Sequence, residues 1–368
     1  MFRPTVAEID LDNIIHNIKE LTCHLPQCTK TLAVVKADGY GHGSVEVAKA
    51  AIKAGVGFLA VALVEEGIQL RESGIKDIPI LILGFTPPSS VEQLEKYKLT
   101  PTIYNMELAK HINETCKNKI KVHIKVDTGM NRLGIQPEKV NSFLLELAKM
   151  DNIDVEGIFT HYATADERDN PYSKSQFHKF KEILKDLPYK IPIKHIANSA
   201  GVMENLTDEG FDMVRLGIAM YGLYPSHEQV DSHITLKPAL SLKTRIAHIK
   251  TVDKGTSISY GITYKTKDIA EIATLPLGYA DGYFRSFSNK GYVFIHGKKA
   301  PVVGRVCMDY IMVDVTAADA KLGDEVIIYA REGENTVDNM ASLIGTINYE
   351  LVCAISKRVP RIYKGLQV

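Results

Sequence analysis

The sequence of 368 residues contains no tryptophan, only five cysteines and no long apolar run. Its longest apolar stretch, residues 56–64, is interrupted by Gly57. A transmembrane helix needs about 20 residues of this kind, so we expect no membrane-spanning segment. The cysteines are odd in number and form no CxxC pair, which argues against a disulfide framework and against a zinc knuckle.

Charge of one sign is also lacking, because Lys plus Arg and Asp plus Glu both number 44. This balance predicts no bulk attraction to nucleic acid or to an anionic membrane. Glu8, Asp10 and Asp12 occupy the stretch where a signal peptide carries its apolar core. We therefore expect a soluble, cytoplasmic protein whose cysteines stay reduced.

Residues 12 to about 225 repeat one pattern, in which a short β-rich run precedes a longer amphipathic segment. Such runs begin at Thr31, Phe58, Ile80, Thr100, Lys121, Val155, Lys194 and Met213. Strands that alternate with helices indicate a parallel sheet, and eight units in roughly 200 residues predict a (β/α)8 barrel of the TIM type. An open, doubly wound sheet is the alternative.

The pattern changes after Pro225, where alternating β-rich segments are separated by Gly and Asp turns. Only 335–345 has a helical pattern there, so we predict a mainly antiparallel β domain. The segment 5–11 also alternates, and we expect it to join this domain because eight barrel strands are counted without it. The predicted division is an N-terminal strand at 1–11, a barrel at 12–230 and a β-rich domain at 231–368.

Polar residues collect where the predicted barrel strands end, which is where barrel enzymes carry their chemistry. Taken singly, each of these residues could instead have a structural role, as a partner in an ion pair, a hydrogen-bonded histidine or part of a turn. No carboxylate cluster or His/Cys set has the spacing of a metal site, so none is predicted. A lysine, a glycine-rich loop and arginines at one mouth suit pyridoxal phosphate, an aldehyde that binds lysine as a Schiff base. The residues concerned are Lys36, Arg132, His161, Asn198, Ser199 and Arg215.

A series of motifs then resembles the alanine racemase family of pyridoxal-phosphate enzymes over essentially the whole chain. In order they are AVVKADGYGHG, KVDTGMNRLG, THYATAD, ANSAG, RLGIAMYGLYP, SYGITY, GYADG and GRVCMDYIMVDV. One departure is Val6, where the family usually has tryptophan. The resemblance implies interconversion of L- and D-alanine by two bases on a pyridoxal-phosphate aldimine, supplying D-alanine for peptidoglycan.

The resemblance also implies roles for individual residues. Lys36 matches the Schiff-base lysine, which acts on the D-alanine proton, and Tyr260 matches the base for the L-alanine proton. Arg132 and the amide of Met308 would meet the substrate carboxylate. Lys125 matches a lysine that is carbamylated in some relatives, with an amine paired to an acid as the alternative. The implied cofactor-binding residues are Lys36, Tyr40, Arg132, His161, Asn198, Ser199, Arg215, Gly217, Ile218 and Tyr349.

The resemblance further implies a head-to-tail homodimer, in which Lys36 of one chain and Tyr260 of the other share a site. The implied entrance residues are Tyr279, Asp166, Arg285 and Arg305. Two other functions are alternatives to racemisation. A single-barrel pyridoxal-phosphate homeostasis protein would lack everything after Pro225. A barrel-type amino-acid decarboxylase would carry a carboxylate in place of Arg215 and a catalytic cysteine, for which Cys307 is the candidate.

Overall fold

The computed structural model describes residues 3–23, 25–206, 211–230 and 233–365. The barrel unit comprises the described residues among 14–39 and 44–236. The β unit comprises those among 1–13, 40–43 and 237–368. The predicted division between 230 and 231 falls beside Asp231 and Ser232, which lie outside the described residues, as do 1–2 and 366–368. The extents 1–11, 12–230 and 231–368 therefore stay a prediction.

The barrel unit is built on a closed ring of parallel strands, β2 to β9, numbered after β1 (Val6–Asp10). β9 pairs with β2 and closes the ring, with Met213 opposite Lys30. The predicted (β/α)8 barrel is confirmed, and the open sheet is wrong. The strands are β2 (Lys30–Val34), β3 (Phe58–Val61), β4 (Ile80–Ile82), β5 (Leu99–Ile103), β6 (Ile120–Lys125), β7 (Ile153–Phe159), β8 (Ile193–His195) and β9 (Met213–Leu216).

Both faces of the barrel strands are covered, which explains their unbroken apolar runs. All residues of β3, β4 and β5 are buried, for example. The outer helices are amphipathic and bury one side. The Met106–Thr115 helix is capped by Asn105, whose side chain accepts the Leu108 amide. The helices are Leu11–Thr22, Ser44–Lys53, Val64–Glu72, Val91–Lys96, Met106–Thr115, Val140–Leu147, Tyr172–Lys185 and Ser199–Met203.

The β unit contains the remaining described strands. They are β10 (Leu240–Arg245), β11 (His248–Val252), β12 (Ser257–Ile258), β13 (Tyr264–Lys265), β14 (Ala270–Leu275), β15 (Tyr292–Ile295), β16 (Lys298–Pro301), β17 (Ile311–Asp314), β18 (Glu325–Tyr329) and β19 (Arg361–Lys364). The largest sheet has the order β16-β15-β18-β10-β1-β19. β1 pairs antiparallel with β10 and parallel with β19, so Val6–Asp10 belongs to this sheet.

Two details differ from the sequence prediction. Leu11 begins a helix and does not extend the first strand, because the Asp10 carboxylate accepts the Asn13 amide at 3.2 Å and caps the helix. A second helix, Asn348–Ala354, follows the predicted one, observed at Val337–Ile344. It is short and rich in weak helix formers, so burial of its apolar face stabilises it more than propensity does. Among the described residues, no helix has the length and apolarity to cross a membrane.

Candidate active site

Lys36 lies just beyond β2, at the carboxyl end of the barrel. The backbone of residues 37–40 is left-handed, with φ between 51° and 60°. Each non-glycine residue in that region costs about 1–2 kcal/mol, so the surroundings must hold the turn. Glu66 provides one anchor, since its carboxylate accepts the amide of Ala37 at 2.6 Å and that of Ala62 at 2.7 Å. The chain after Lys36 is thereby tied to the end of β3.

The positive charges of the barrel mouth lie close enough to act on one another. Burial, followed by the charges of Arg215 and Arg132, lowers the pKa of Lys125 to about 7. Lys36 acts in the same direction, whereas the carboxylate of Asp127 opposes it. The structure therefore brings together the lysines and arginines predicted from separate strand ends. At neutral pH a large fraction of Lys125 is the free amine.

Arg215 on β9 is buried inside the barrel and donates to acceptors from neighbouring strands. They are the carbonyls of Thr160 at 2.9 Å and Ile196 at 2.7 Å, and Nδ1 of both His195 at 2.8 Å and His161 at 3.0 Å. Burial lowers the pKa of Arg215 to about 9. Burial and then the charge of Arg215 hold the pKa of His161 well below its usual range. Neutral His161 thus accepts a hydrogen bond from Arg215.

Arg132 lies in the loop that follows β6, and Asp127 organises this loop. The Asp127 carboxylate accepts the amides of Gly129 at 2.9 Å and Asn131 at 3.0 Å. The loop returns to the strand where the Ile135 amide donates to the Lys125 carbonyl at 2.8 Å. Both ends of the loop are therefore fixed, which places Arg132 beside the end of β6.

Several predicted phosphate ligands lie together at the ends of β8 and β9. Ser199 Oγ accepts the amide of Gly217 at 2.8 Å. Asn198 caps the Ser199–Met203 helix, its side chain accepting the Gly201 amide at 2.9 Å. Ile218 directly follows Gly217 and is buried. This corner gathers a hydroxyl and main-chain amides, the groups that bind phosphate in proteins.

The predicted phosphate ligands Tyr40 and Tyr349 lie together in the β unit, with ring centroids 6.2 Å apart. Burial raises the pKa of Tyr40, so its hydroxyl stays protonated and able to donate. Gly41 permits this packing, because a Cβ there would lie 1.9 Å from the carbonyl oxygen of Val352. Since Val352 belongs to the Asn348–Ala354 helix, the unpredicted helix positions Tyr349.

A cavity of about 450 Å³ in the β unit gathers the residues predicted for the second base, the substrate amide and the entrance. Tyr260 itself is 71% exposed. Asp166, the remaining predicted entrance residue, lies in the barrel unit, where burial raises its pKa. Among the residues that line the cavity are Tyr260, Tyr279, Arg285, Arg305 and Met308.

The backbone around Tyr260 is strained. Ser259 has φ 63° and ψ −176°, a region almost confined to glycine, and Ile262 has φ 51°. Such residues cost about 1–3 kcal/mol each and persist when the surroundings fix them. Ser259 Oγ donates to the Arg305 carbonyl at 2.7 Å and supplies part of that restraint. The segment thus presents Tyr260 in one backbone conformation.

Sequence reasoning missed two residues that support the site, Glu66 and His195. Glu66 stands three residues after Leu63 and accepts its amide at 3.2 Å, but an apolar residue at Leu63 gives no capping-box signal in the sequence. His195 lies within the predicted strand that begins at Lys194. A polar residue in an otherwise apolar barrel strand was the available signal for it.

Comparison with known proteins decides the family. Profiles of the alanine racemase N-terminal and C-terminal domains match residues 9–225 and 239–363. The chain belongs to the alanine racemase family. The alanine racemase of Halothermothrix orenii is 48% identical over 372 residues, covering 99% of this chain and 97% of its own.

Solved alanine racemases share the fold over nearly their whole length. The enzyme from Clostridium difficile 630 superposes with a TM-score of 0.94 at 46% identity, covering 99% of this chain and 96% of that one. The alanine racemase from Bartonella henselae, solved with covalently bound pyridoxal phosphate, superposes with a TM-score of 0.89 at 29% identity. This match covers 98% of this chain and 99% of that one. The resemblance seen in the motifs is confirmed.

Proposed function

We propose that this alanine racemase family member interconverts L- and D-alanine with bound pyridoxal phosphate, supplying D-alanine for peptidoglycan. The observation that carries the proposal is the cluster at one barrel mouth in which the charges of Lys36, Arg132 and Arg215 act on Lys125. The carboxylate of Asp127 opposes them in the shift of the Lys125 pKa. Such an excess of positive charge fits a phosphate, a phenolate and a substrate carboxylate.

The donor groups fit pyridoxal phosphate part by part. Lys36 offers an amine for the aldehyde, Arg132 a guanidinium for the phenolic oxygen, and Arg215 a donor for the ring nitrogen, with His161 packing beside the ring. When bound, the cofactor withdraws electrons from Cα of the amino acid and makes its hydrogen acidic. The residues that would hold the phosphate and its surroundings are Tyr40, Asn198, Ser199, Gly217, Ile218 and Tyr349.

Racemisation requires a proton to leave one face of Cα and return on the other. Lys36 would hold and return the proton on the D-alanine side, and Tyr260 would do so on the L-alanine side. Arg132 and the amide of Met308 would hold the substrate carboxylate, which fixes Cα between the two bases. Tyr279, with Asp166, Arg285 and Arg305 further out, would limit the entrance to small side chains, discriminating by about 1–3 kcal/mol per methylene.

Arg215 favours racemisation over decarboxylation. Its hydrogen-bond partners described above are acceptors, and a guanidinium has no acceptor of its own. It would offer the ring nitrogen a hydrogen bond and would not receive a proton. The decarboxylase alternative needs a carboxylate at this position.

The proposed function is tested with the cofactor-loaded protein and L-alanine. We expect L-alanine to be converted to an equal mixture of both enantiomers, as measured by chiral chromatography. In heavy water, deuterium should enter at Cα. Absence of exchange and of D-alanine would reject the proposal. Release of labelled carbon dioxide would indicate a decarboxylase.

We also propose a head-to-tail homodimer that shares its sites. Beside Tyr260, the β unit exposes Ile262 by 60%, Met308 by 52% and Tyr310 by 49%. Large exposed apolar groups of this kind typically mark an interface. A twofold dimer would cover them and would bring Tyr260 of each chain to Lys36 of its partner. No disulfide joins the five cysteines, all of which lie among the described residues, and this supports the proposed cytoplasmic location.

Lys125 is proposed to carry a carbamate, since carbon dioxide reacts with a free amine and the pKa of about 7 makes that form abundant. As an anion it would orient Arg132. We expect Lys125→Ala to lower kcat by about tenfold or more and a small added carboxylate to restore part of it. The exposed Lys121 on the same strand supplies the control variant Lys121→Ala. Full activity of Lys125→Ala would favour the plain amine.

Gly278 allows the Tyr279 loop to lie against Met308. A Cβ at Gly278 would lie 2.2 Å from the Met308 carbonyl oxygen, which belongs to backbone that cannot yield easily. We expect Gly278→Ala to lower kcat/KM by about 100-fold through misplacement of the loop. The control is Gly57→Ala, whose Cβ would have Thr31 O at 4.0 Å as its nearest neighbour. Equal kinetics of the two variants would contradict this role.

A further inference from the structure

A series of side-chain contacts continues from Arg215 through the barrel interior to a carboxylate. Arg215 Nη1 contacts His195 Nδ1 at 2.8 Å, and His195 Nε2 contacts His123 Nδ1 at 2.9 Å. His123 Nε2 then faces Glu156 Oε2 at 3.6 Å. Both imidazoles are fully buried. Because these residues come from β6, β7, β8 and β9, the chain of contacts crosses the barrel.

The donor at one end determines the position of every proton along this path. A guanidinium has only donors, so His195 Nδ1 must accept and its Nε2 must carry the proton. That proton is donated to His123 Nδ1, so the proton of His123 lies on Nε2 and points to Glu156. Among the described residues, neither His123 Nε2 nor Glu156 Oε2 has a partner within hydrogen-bond distance. The N–H of His123 therefore points at a carboxylate oxygen 3.6 Å away, an ion-pair contact that a small movement of either side chain would turn into a hydrogen bond.

The charges along the path agree with this arrangement. Burial lowers the pKa of both His123 and His195, which keeps both rings neutral at neutral pH. Although burial opposes it, the contacts with His123 and Lys121 lower the pKa of Glu156 to about 2. Lys121 binds the other carboxylate oxygen, Oε1, at 2.5 Å from the barrel surface. Oε2 is thus left for His123.

Local backbone features create room for this contact. The pairing of β6 with β7 shifts between Val122 and His123, so that β7 carries Glu156 as an extra residue. Such a bulge redirects a side chain, and bulges are frequent beside active sites. The next residue is Gly157, where a Cβ would lie 2.4 Å from His123 Nδ1. Phe159 then stacks on the His195 ring with centroids 4.6 Å apart.

We propose that Glu156 is a positioning residue for racemisation, which through His123 and His195 fixes Arg215 as a hydrogen-bond donor toward the cofactor ring nitrogen. The inference rests on the proposed function, because it gives Arg215 that task. Glu156 contacts neither substrate nor cofactor. It reinforces the tautomer of each histidine that Arg215 requires, since the opposite tautomers would turn an N–H of His195 against the guanidinium.

The first test uses the wild-type holoenzyme with ¹⁵N-labelled histidine and pyridoxal phosphate labelled at the ring nitrogen. NMR should show His123 and His195 as neutral rings protonated at Nε2. A proton on Nδ1 of His195 overturns the proposal without any variant. This measurement does not depend on activity, so its failure is distinct from failure of the proposed function.

The second test compares variants of the carboxylate and of its outer partner. Glu156→Met removes the acceptor. We expect mixed tautomers of His123 and a shifted NMR resonance of the cofactor ring nitrogen. We also expect kcat to fall about tenfold at nearly constant KM, which is the lower end of the loss typical for an outer carboxylate. Glu156→Gln should recover most of kcat, since its carbonyl can accept from His123 while exposed Lys121 turns to water. Lys121→Met, the matched control, should behave as wild type.

Gly157→Ala provides a variant that keeps every charge. Its Cβ would displace the His123 ring, so we expect the same NMR changes and the same fall in kcat that are expected for Glu156→Met. Gly157→Ala therefore tests the proposal even if Glu156→Met does not fold. Equal losses in Lys121→Met and Glu156→Met would overturn the proposal by indicating a general ion-pair effect. Altered tautomers with unchanged kcat and ring-nitrogen resonance would overturn the link to Arg215.

Discussion

Replacing Lys36 by alanine is expected to lower kcat for alanine racemisation by more than about 10³-fold, because the variant loses both the amine for the cofactor aldehyde and one of the two bases. Borohydride treatment of the wild-type protein should attach the cofactor irreversibly to the peptide that contains Lys36. Peptide mass spectrometry locates the adduct, and a stopped assay measures the residual rate.

The control for this prediction is Lys53→Ala, at an exposed position of the Ser44–Lys53 helix. It should keep the wild-type rate and the same adduct. Lys125 is the informative competitor, since its lowered pKa also makes it a nucleophile at neutral pH. An adduct on Lys125 would remove Lys36 from its proposed role while leaving the family assignment intact.

Mixing two inactive proteins, Lys36→Ala and Tyr260→Ala, is expected to restore activity. If each site uses Lys36 of one chain and Tyr260 of the other, a mixed dimer has one site with both defects and one with neither. Random exchange makes about half of the dimers mixed, so about a quarter of the wild-type activity should return. The measurement is the racemisation rate after subunit exchange.

Exchange has to be shown independently, for example by native mass spectrometry of isotopically labelled chains. Two controls use either variant alone under the same conditions, and both should stay inactive. A mixture that exchanges completely and stays inactive would show that each site is built within one chain, because every site would then keep one defect.

The barrel could be predicted because its information is local. Each strand is an apolar run bounded by turns, and the eight runs repeat at a spacing that leaves room for one helix. The Asn348–Ala354 helix was missed for the opposite reason. Its propensity is weak, and burial of Leu351 and Val352 by residues distant in sequence stabilises it.

The candidate site divides in the same way. Lys36, Arg132 and Arg215 stand at strand ends, where the topology alone implies that they converge. The path from Arg215 to Glu156 could not be read from the sequence, because it depends on a register shift between two strands and on the direction of side chains inside the barrel. The left-handed turn after Lys36 was equally hidden, since alanine and tyrosine, at Ala37 and Tyr40, disfavour that conformation and aspartate, at Asp38, adopts it only occasionally.

The like charges at the barrel mouth also couple folding to cofactor supply. Lys36, Arg132 and Arg215 each disfavour a positive charge on Lys125, and this repulsion weakens the folded barrel whenever Lys125 is protonated. A phosphate-bearing ligand relieves this repulsion and binds the folded chain only, so the folded population rises with ligand concentration by mass action. A cell short of the cofactor would therefore lose the protein itself to proteolysis, in addition to losing its activity.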